Sequence, residues 1–251
     1  MSDPDSPFPQ PKDLIRAVHL LTRVPLPGGD GARAAASAWA WPLVGAGLAV
    51  AQICVGLGAL ALNIPVIAAA GLAVAVGIIL IGALHEDGFA DCADGFWGGH
   101  TVERRLDILK DSRIGAYGVV ALILAIGLRW SLFVALLPVA PLALIASAML
   151  SRAAMATLMA ALPFARADGL ASHVGRPPIW AALVGGGLAG IAAIVLTGAA
   201  GIAAALAVIG TMLAMGALAR AKIGGQTGDV LGATQVMGDL AALLTLAAML
   251  A

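Results

Sequence analysis

YGVVALILAIGLRWSLFVALL, residues 117–137, runs for 21 residues with a single charge, Arg129. An α-helix of about 20 apolar residues crosses the hydrocarbon core of a bilayer, and nothing in this run interrupts one. Six further apolar segments occupy roughly 38–61, 65–84, 140–161, 179–198, 201–219 and 236–251, the last of them short for a full crossing. Of the 251 residues 61% are hydrophobic and 11% charged, with a mean hydropathy of +1.00; ordinary soluble domains carry about 25% charged residues. The sequence therefore predicts an all-α fold, a polytopic integral membrane helical bundle of about 6–7 transmembrane helices, as one domain over 1–251. Ahead of it, KDLIRAVHLLTRV (12–24) places Leu14, Ile15, Val18 and Leu21 on one helical face. It reads as an N-terminal interfacial helix with Lys12, Arg16 and Arg23 free for lipid phosphates, or as an amphipathic helix packed on the protein.

Composition excludes several classes. A formal net charge of zero argues against nucleic-acid binding through a basic field. Cys54 and Cys92 give neither a disulfide framework nor a zinc spacing, and both read as reduced thiols. The first 37 residues hold no apolar core of the about 7–15 residues that a cleavable signal peptide needs, and residues 1–11, rich in Pro and Asp, read as disordered at the start.

The connections set a topology. Short apolar links around Asn63, Pro138–Pro141 and Gly198–Gly201 alternate with four polar pieces: the N-terminus, 85–116, 162–178 and 220–235. Strict parity puts all four pieces on one side, and they hold twelve of the 14 Lys and Arg residues. The positive-inside rule makes that side cytoplasmic. The other two cations, Arg129 and Arg152, fall inside apolar segments, where charge is costly and usually faces a polar interior.

Of 14 acidic residues, seven lie between Glu86 and Asp111. In DGFADCAD, Asp87, Asp91 and Asp94 fall within an arc of about 60° on an α-helix, with Glu86 off it. Three carboxylates on one face repel one another unless neutralised. A hard divalent cation with oxygen ligands does this, and Mg²⁺ characteristically shares one or two carboxylates with substrate phosphates. A merely solvated acidic face is the plain alternative. Gly88 and Gly95 leave room for a phosphate or a backbone. Lys110-Asp111-Ser112-Arg113 gathers cation, carboxylate, hydroxyl and guanidinium just before a membrane entry, a set suited to phosphate oxygens. In GGQTGDVLGATQ (224–235), Gly225 allows a tight cradle, and Gln226, Thr227 and Asp229 are candidates to address a polar ligand. His85 adjoins the acids and is a substrate-contact candidate, as is Arg152. The active-site segments are thus 85–116 and 220–235. No catalytic triad or Walker loop occurs.

These motifs resemble those of the cobalamin synthase family, the adenosylcobinamide-GDP ribazoletransferases. The likeness runs along nearly the whole chain, through LTRVPLP (21–27), HEDGFADCADG (85–95), KDSRIGAYG (110–118), Ser151-Arg152 and GGQTGDVLGA (224–233). It departs at Glu86, where an apolar residue is expected. The resemblance implies a Mg²⁺-dependent transferase in the bacterial cytoplasmic (inner) membrane. That enzyme joins adenosylcobinamide-GDP to α-ribazole, or α-ribazole 5′-phosphate, and releases GMP. On this reading Asp87, Asp91 and Asp94 hold Mg²⁺ on the diphosphate, Lys110 and Arg113 stabilise phosphate oxygens, and Asp111 accepts the ribose proton. Whether the chain forms a homo-oligomer stays open. The competing readings are a CDP-alcohol-type membrane phosphotransferase, whose pattern would put Arg at position 91, and a transporter, which would need more polar residues at mid-membrane.

Overall fold

A computed structural model describes residues 8–28 and 33–251; residues 1–7, expected to be disordered, lie outside the described part. Among the described residues the chain forms eleven α-helices and no strand: α1 (Pro11–Leu21), α2 (Trp41–Ala61), α3 (Val66–Ile81), α4 (Leu84–Gly98), α5 (Val102–Ile108), α6 (Ala116–Leu136), α7 (Leu142–Ala161), α8 (Leu170–Val174), α9 (Ile179–Thr197), α10 (Ala199–Ile223) and α11 (Gly228–Leu250). A 3-10 turn, Ala36–Ala40, leads into α2. Six helices (α2, α6, α7, α9, α10 and α11) are long and apolar enough to cross a membrane, and a seventh crossing is reached if α3 and α4 count as one broken span. With Ile123, Leu124, Ile191, Val195 and Leu206 turned outward, the bundle has the apolar exterior of an integral membrane protein.

The bundle is built around α7, which packs against α2, α9 and α11 and is buried along most of its length. Small residues permit this. Gly45 of α2 lies against the carbonyl of Ala148, where a Cβ would overlap it. The turn between α2 and α3 uses Asn63 at φ 60°, a conformation Asn tolerates better than most side chains.

The largest departure from a plain row of spans is at residues 82–83. Gly82 and Ala83 are both left-handed, φ 69° and 56°, and they swing α4 by 87° away from α3. Glycine adopts this at no steric cost, whereas alanine sacrifices about 1–2 kcal/mol. A helix perpendicular to the span before it adds no height to that span. The apolar segment expected at 65–84 therefore ends at Ile81, and α4 lies across the end of the bundle.

Two further expectations change. The last segment, expected to be short at 236–251, is the C-terminal part of a 23-residue helix that begins at Gly228. The polar piece 220–235 is accordingly helical apart from a tight connection at 224–227. Arg16 of α1 is not free for lipid: it is buried and pairs with Asp13 at 2.8 Å, whose carboxylate also accepts from Trp39 Nε1 at 3.0 Å. The helix α1 packs on the protein, against the 3-10 turn and α2.

The parity argument holds in the contacts. Lys110 pairs with Asp168 at 2.6 Å, Arg105 donates to the Lys222 carbonyl at 3.0 Å, and the Arg23 backbone N–H donates to Leu80 O at 2.8 Å. All four polar pieces meet at one end of the bundle.

Candidate active site

The site begins with two helices that approach closely because both carry glycine at the crossing. A Cβ on Gly88 of α4 would stand 2.9 Å from Cα and the carbonyl oxygen of Asp229 in α11. A Cβ on Gly232 of α11 would stand 3.2 Å from Cα of His85. The room at Gly88 is thus taken by backbone, not by a phosphate. This crossing sets Asp87 and Asp91 beside Asp229, some 140 residues later in the chain.

The connection 224–227 positions Asp229. Gly224, at φ 79°, ends α10. Gln226 then bonds across to the 163–165 segment, its N–H donating to Pro163 O at 2.8 Å and its carbonyl accepting from Ala165 N at 2.9 Å. Gly225 fits against the same segment with no room for a side chain. Thr227 is the N-cap of α11, and its hydroxyl donates to Asp229 Oδ2 at 3.0 Å. Gly225, Gln226 and Thr227 are therefore buried parts of the support; of the four candidates in this stretch, only Asp229 reaches the open hollow.

That hollow has a volume of about 510 Å³ and is lined by five carboxylates, Asp87, Asp91, Asp111, Asp168 and Asp229, against two cations, Lys110 and Arg166, with Ser112 at its edge. Arg166 approaches Asp229 at 3.4 Å. Among the described residues the side-chain carboxylates of Asp87 and Asp91 make no hydrogen bond or ion pair. The two carboxylates are left for a ligand, and the local excess of negative charge asks for a cation.

Other sequence candidates sit differently. Asp94 does not line the hollow. It is buried, and its carboxylate accepts from the backbone N–H of Gly115 at 2.7 Å and of Gly118 at 3.0 Å, capping the start of α6 where a carboxylate also meets the positive helix end. Arg113 points outward, its side chain 87% exposed and paired with Asp111 at 2.7 Å. That guanidinium holds the Asp111 carboxyl down to about 2, which makes it a weak proton acceptor. Lys110 does likewise for Asp168, which it keeps below the usual carboxylate range.

Arg152 lies in the membrane interior with Arg129. Arg129 pairs with Glu86 at 2.7 Å and with Asp239 at 3.2 Å; Asp239 also accepts from Ser147, and Arg152 donates to Ala148 O at 3.2 Å. These four charged side chains, two of each sign, surround a cavity of about 30 Å³, the room of a single water. The network accounts for Arg129 and Asp239, and it gives Glu86, the departure from the expected motif, a partner. His85 is buried against Gly232 and does not line the hollow; it lines an adjoining, mostly apolar chamber.

Arg166 and Asp168 were not among the sequence candidates. Their only signal was an Arg and an Asp two residues apart, in a polar piece already placed on the same side as the acids.

Among the described residues no three His, Cys, Asp or Glu side chains converge closely enough to hold a metal ion alone. The donor set is nonetheless all oxygen, and Mg²⁺ binds with one or two carboxylates completed by water and phosphate, so one or two of Asp87, Asp91 and Asp229 fit such an ion.

Fold and site together define a polytopic membrane protein with an acidic, phosphate-compatible hollow at the end where its charged connections gather. The chain belongs to the cobalamin-5-phosphate synthase family, whose model matches residues 13–247. It is similar to proteins named adenosylcobinamide-GDP ribazoletransferase: that of Azorhizobium caulinodans, 46% identical over 179 residues (66% of this chain, 67% of the relative); that of Bradyrhizobium diazoefficiens, 44% over 182 residues (69% and 68%); and that of Brucella suis, 43% over 195 residues (73% and 75%). No solved structure matches the chain significantly. Family membership sets aside the CDP-alcohol phosphotransferase and transporter readings.

Proposed function

We propose that the hollow is the active site of a Mg²⁺-dependent transferase that joins adenosylcobinamide-GDP to α-ribazole or its 5′-phosphate, releases GMP, and faces the cytoplasm from the bacterial inner membrane. Family membership makes the chain a transferase of the nucleotide-loop assembly step of cobalamin synthesis; the metal, the side and the site residues are this reading's own. The observation that carries it is the meeting of Asp87, Asp91 and Asp229 with Arg166 and Lys110 around one hollow.

The chemistry is one displacement at phosphorus. A ribose hydroxyl of α-ribazole forms the new O–P bond to the phosphate that carries cobinamide, the P–O bond to GMP breaks, and the hydroxyl proton leaves to solvent through the open hollow. Displacement at phosphorus gains from positioning and from charge stabilisation, and Asp111, engaged by Arg113, is not assigned as the base. Arg166 and Lys110 are placed to meet phosphate oxygens, with Ser112 as a further donor. One or two of Asp87, Asp91 and Asp229 would hold Mg²⁺, which supplies neutralisation of charge on the departing phosphate. The cytoplasmic side rests on the cations: twelve of 14 lie in the four pieces that meet at this end.

The test is direct. Purified protein given adenosylcobinamide-GDP, α-ribazole and Mg²⁺ is expected to yield GMP and a complete corrinoid in equal amounts by chromatography. Failure to form either, with folded protein, would overturn the reading.

A further inference from the structure

Next to the reactive hollow is a second space of quite different character. It has a volume of about 240 Å³ and shares Asp87, Arg166 and Asp229 with the hollow, so the two adjoin. Away from that shared edge its walls are nearly all apolar: Leu20 and Leu21 from α1, Met155 and Met159 from α7, Leu170 and Val174 from α8. Two lining residues, Trp41 and His85, are each only 2% exposed. The Trp41 indole N–H is buried without a hydrogen-bond partner, while the His85 ring lies within reach of the Gln235 side chain. A buried indole N–H normally finds one, and the absence of a partner marks a place where a ligand atom can complete the bond.

We infer that this chamber receives the benzimidazole ring of α-ribazole, with the Trp41 N–H donating to the ring nitrogen that is not bonded to ribose. The inference rests on the activity proposed above. Two bases compete for the space. Guanine, from the GDP end of the other substrate, carries donors and acceptors around most of its edge, and an apolar chamber whose unpaired donor away from the shared edge is the Trp41 N–H would leave most of them unmatched. An alkylated benzimidazole has an apolar rim, two methyl groups and one acceptor nitrogen, which is the complement of what the chamber offers. Methionines suit such a ring, because thioethers contact aromatic faces and edges favourably. With the ring in the chamber, the attached ribose emerges at the edge shared with the hollow, where its hydroxyl has to be for transfer. Guanine and the diphosphate are then left to the polar hollow with Arg166 and Lys110.

The test uses the full-length protein in lipid nanodiscs and two variants. Trp41→Phe keeps the ring and removes the donor. Ala171→Phe fills the chamber from α8, whose Ala171 lines it. For Trp41→Phe the KM for α-ribazole is expected to rise about tenfold, as for the loss of one hydrogen bond, with the KM for adenosylcobinamide-GDP unchanged. The same variant should lose the wild type's preference for α-ribazole over an indole nucleoside, in which the acceptor nitrogen is replaced by CH. Ala171→Phe should abolish α-ribazole binding, followed by calorimetry without the second substrate, while adenosylcobinamide-GDP still binds. Loss of affinity for adenosylcobinamide-GDP instead would assign the chamber to guanine and overturn the inference. Wild-type kinetics in both variants would mean that an acyl chain or nothing fills it, and would overturn it equally. Because α-ribazole binding is measured separately from turnover, a protein that binds it through Trp41 but releases no GMP would count against the proposed activity and not against the chamber.

Discussion

Substituting Gly88 by alanine tests the crossing on which the whole site depends. The added Cβ would stand 2.9 Å from two backbone atoms of Asp229 and 3.3 Å from a third, whereas ordinary contact begins at 3.4 Å. Backbone cannot rotate away as a side chain can, so α4 and α11 must part by about 0.5–1 Å. Overpacking of this kind costs about 1–3 kcal/mol, and it moves Asp87 and Asp91 away from Asp229. A misplacement of about 1 Å can lower a rate by about 10²-fold, so Gly88→Ala is expected to lose between about 10- and 100-fold in kcat. Gly47→Ala is the matched control: its Cβ would meet nothing within 4 Å, and alanine is the better helix former by about 1 kcal/mol. GMP release at saturating substrates and thermal unfolding in the same detergent would be measured for both. A Gly88→Ala protein with wild-type kcat and midpoint would refute the claim that the α4–α11 crossing sets the site.

The acidic arc separates into two kinds of residue. Asp87→Asn and Asp91→Asn are each expected to lower the rate by at least about 100-fold and to raise the Mg²⁺ concentration for half-maximal activity. Asp94→Asn should lower the unfolding midpoint with an unchanged Mg²⁺ requirement, and a shifted Mg²⁺ curve would return it to the metal set. Arg166→Ala is expected to reduce kcat/KM by about 10²-fold or more, while Arg113→Ala, removing an outward-facing partner of Asp111, should stay within about threefold; the reverse ranking in steady-state assays would refute the placement of these two cations. Arg129→Met strands Glu86 and Asp239 inside the bundle and should cost about 3–5 kcal/mol. Adding Glu86→Gln should recover part of that loss in thermal unfolding, and no recovery would mean that the two do not interact.

The spans were legible because length and hydropathy alone decide whether a helix can cross a bilayer, and the common side of the polar pieces followed from counting crossings. The arc of Asp87, Asp91 and Asp94 was legible as geometry, and all three do lie on α4. What helical spacing cannot supply is what stands opposite each residue: the amide end of α6 faces Asp94, while open space faces Asp87 and Asp91. The bend at Gly82-Ala83 was hidden because alanine carries no turn signal, and the left-handed state there is imposed by packing. Arg166 could not be singled out in a connector that also holds Arg176, since its meaning comes from Asp229, 63 residues away. A glycine-rich polar turn reads the same whether it cradles a phosphate or braces a helix, so the spacing could not tell that Gln226 and Thr227 are buried while Asp229 lines the hollow.

The crossing of Gly88 with Asp229 also has a bearing on biogenesis. Asp87 and Asp91 emerge from the ribosome well before Asp229, and until α11 inserts and packs on α4 the acids have no third partner and no enclosed hollow. On the proposed site, a chain whose α11 has not yet packed on α4 is expected to be inert toward nucleotide substrates. Activity then reports that α11 has found its seat, and any agent that slows its insertion is expected to appear as missing enzyme, with no shift in KM for the molecules that complete it.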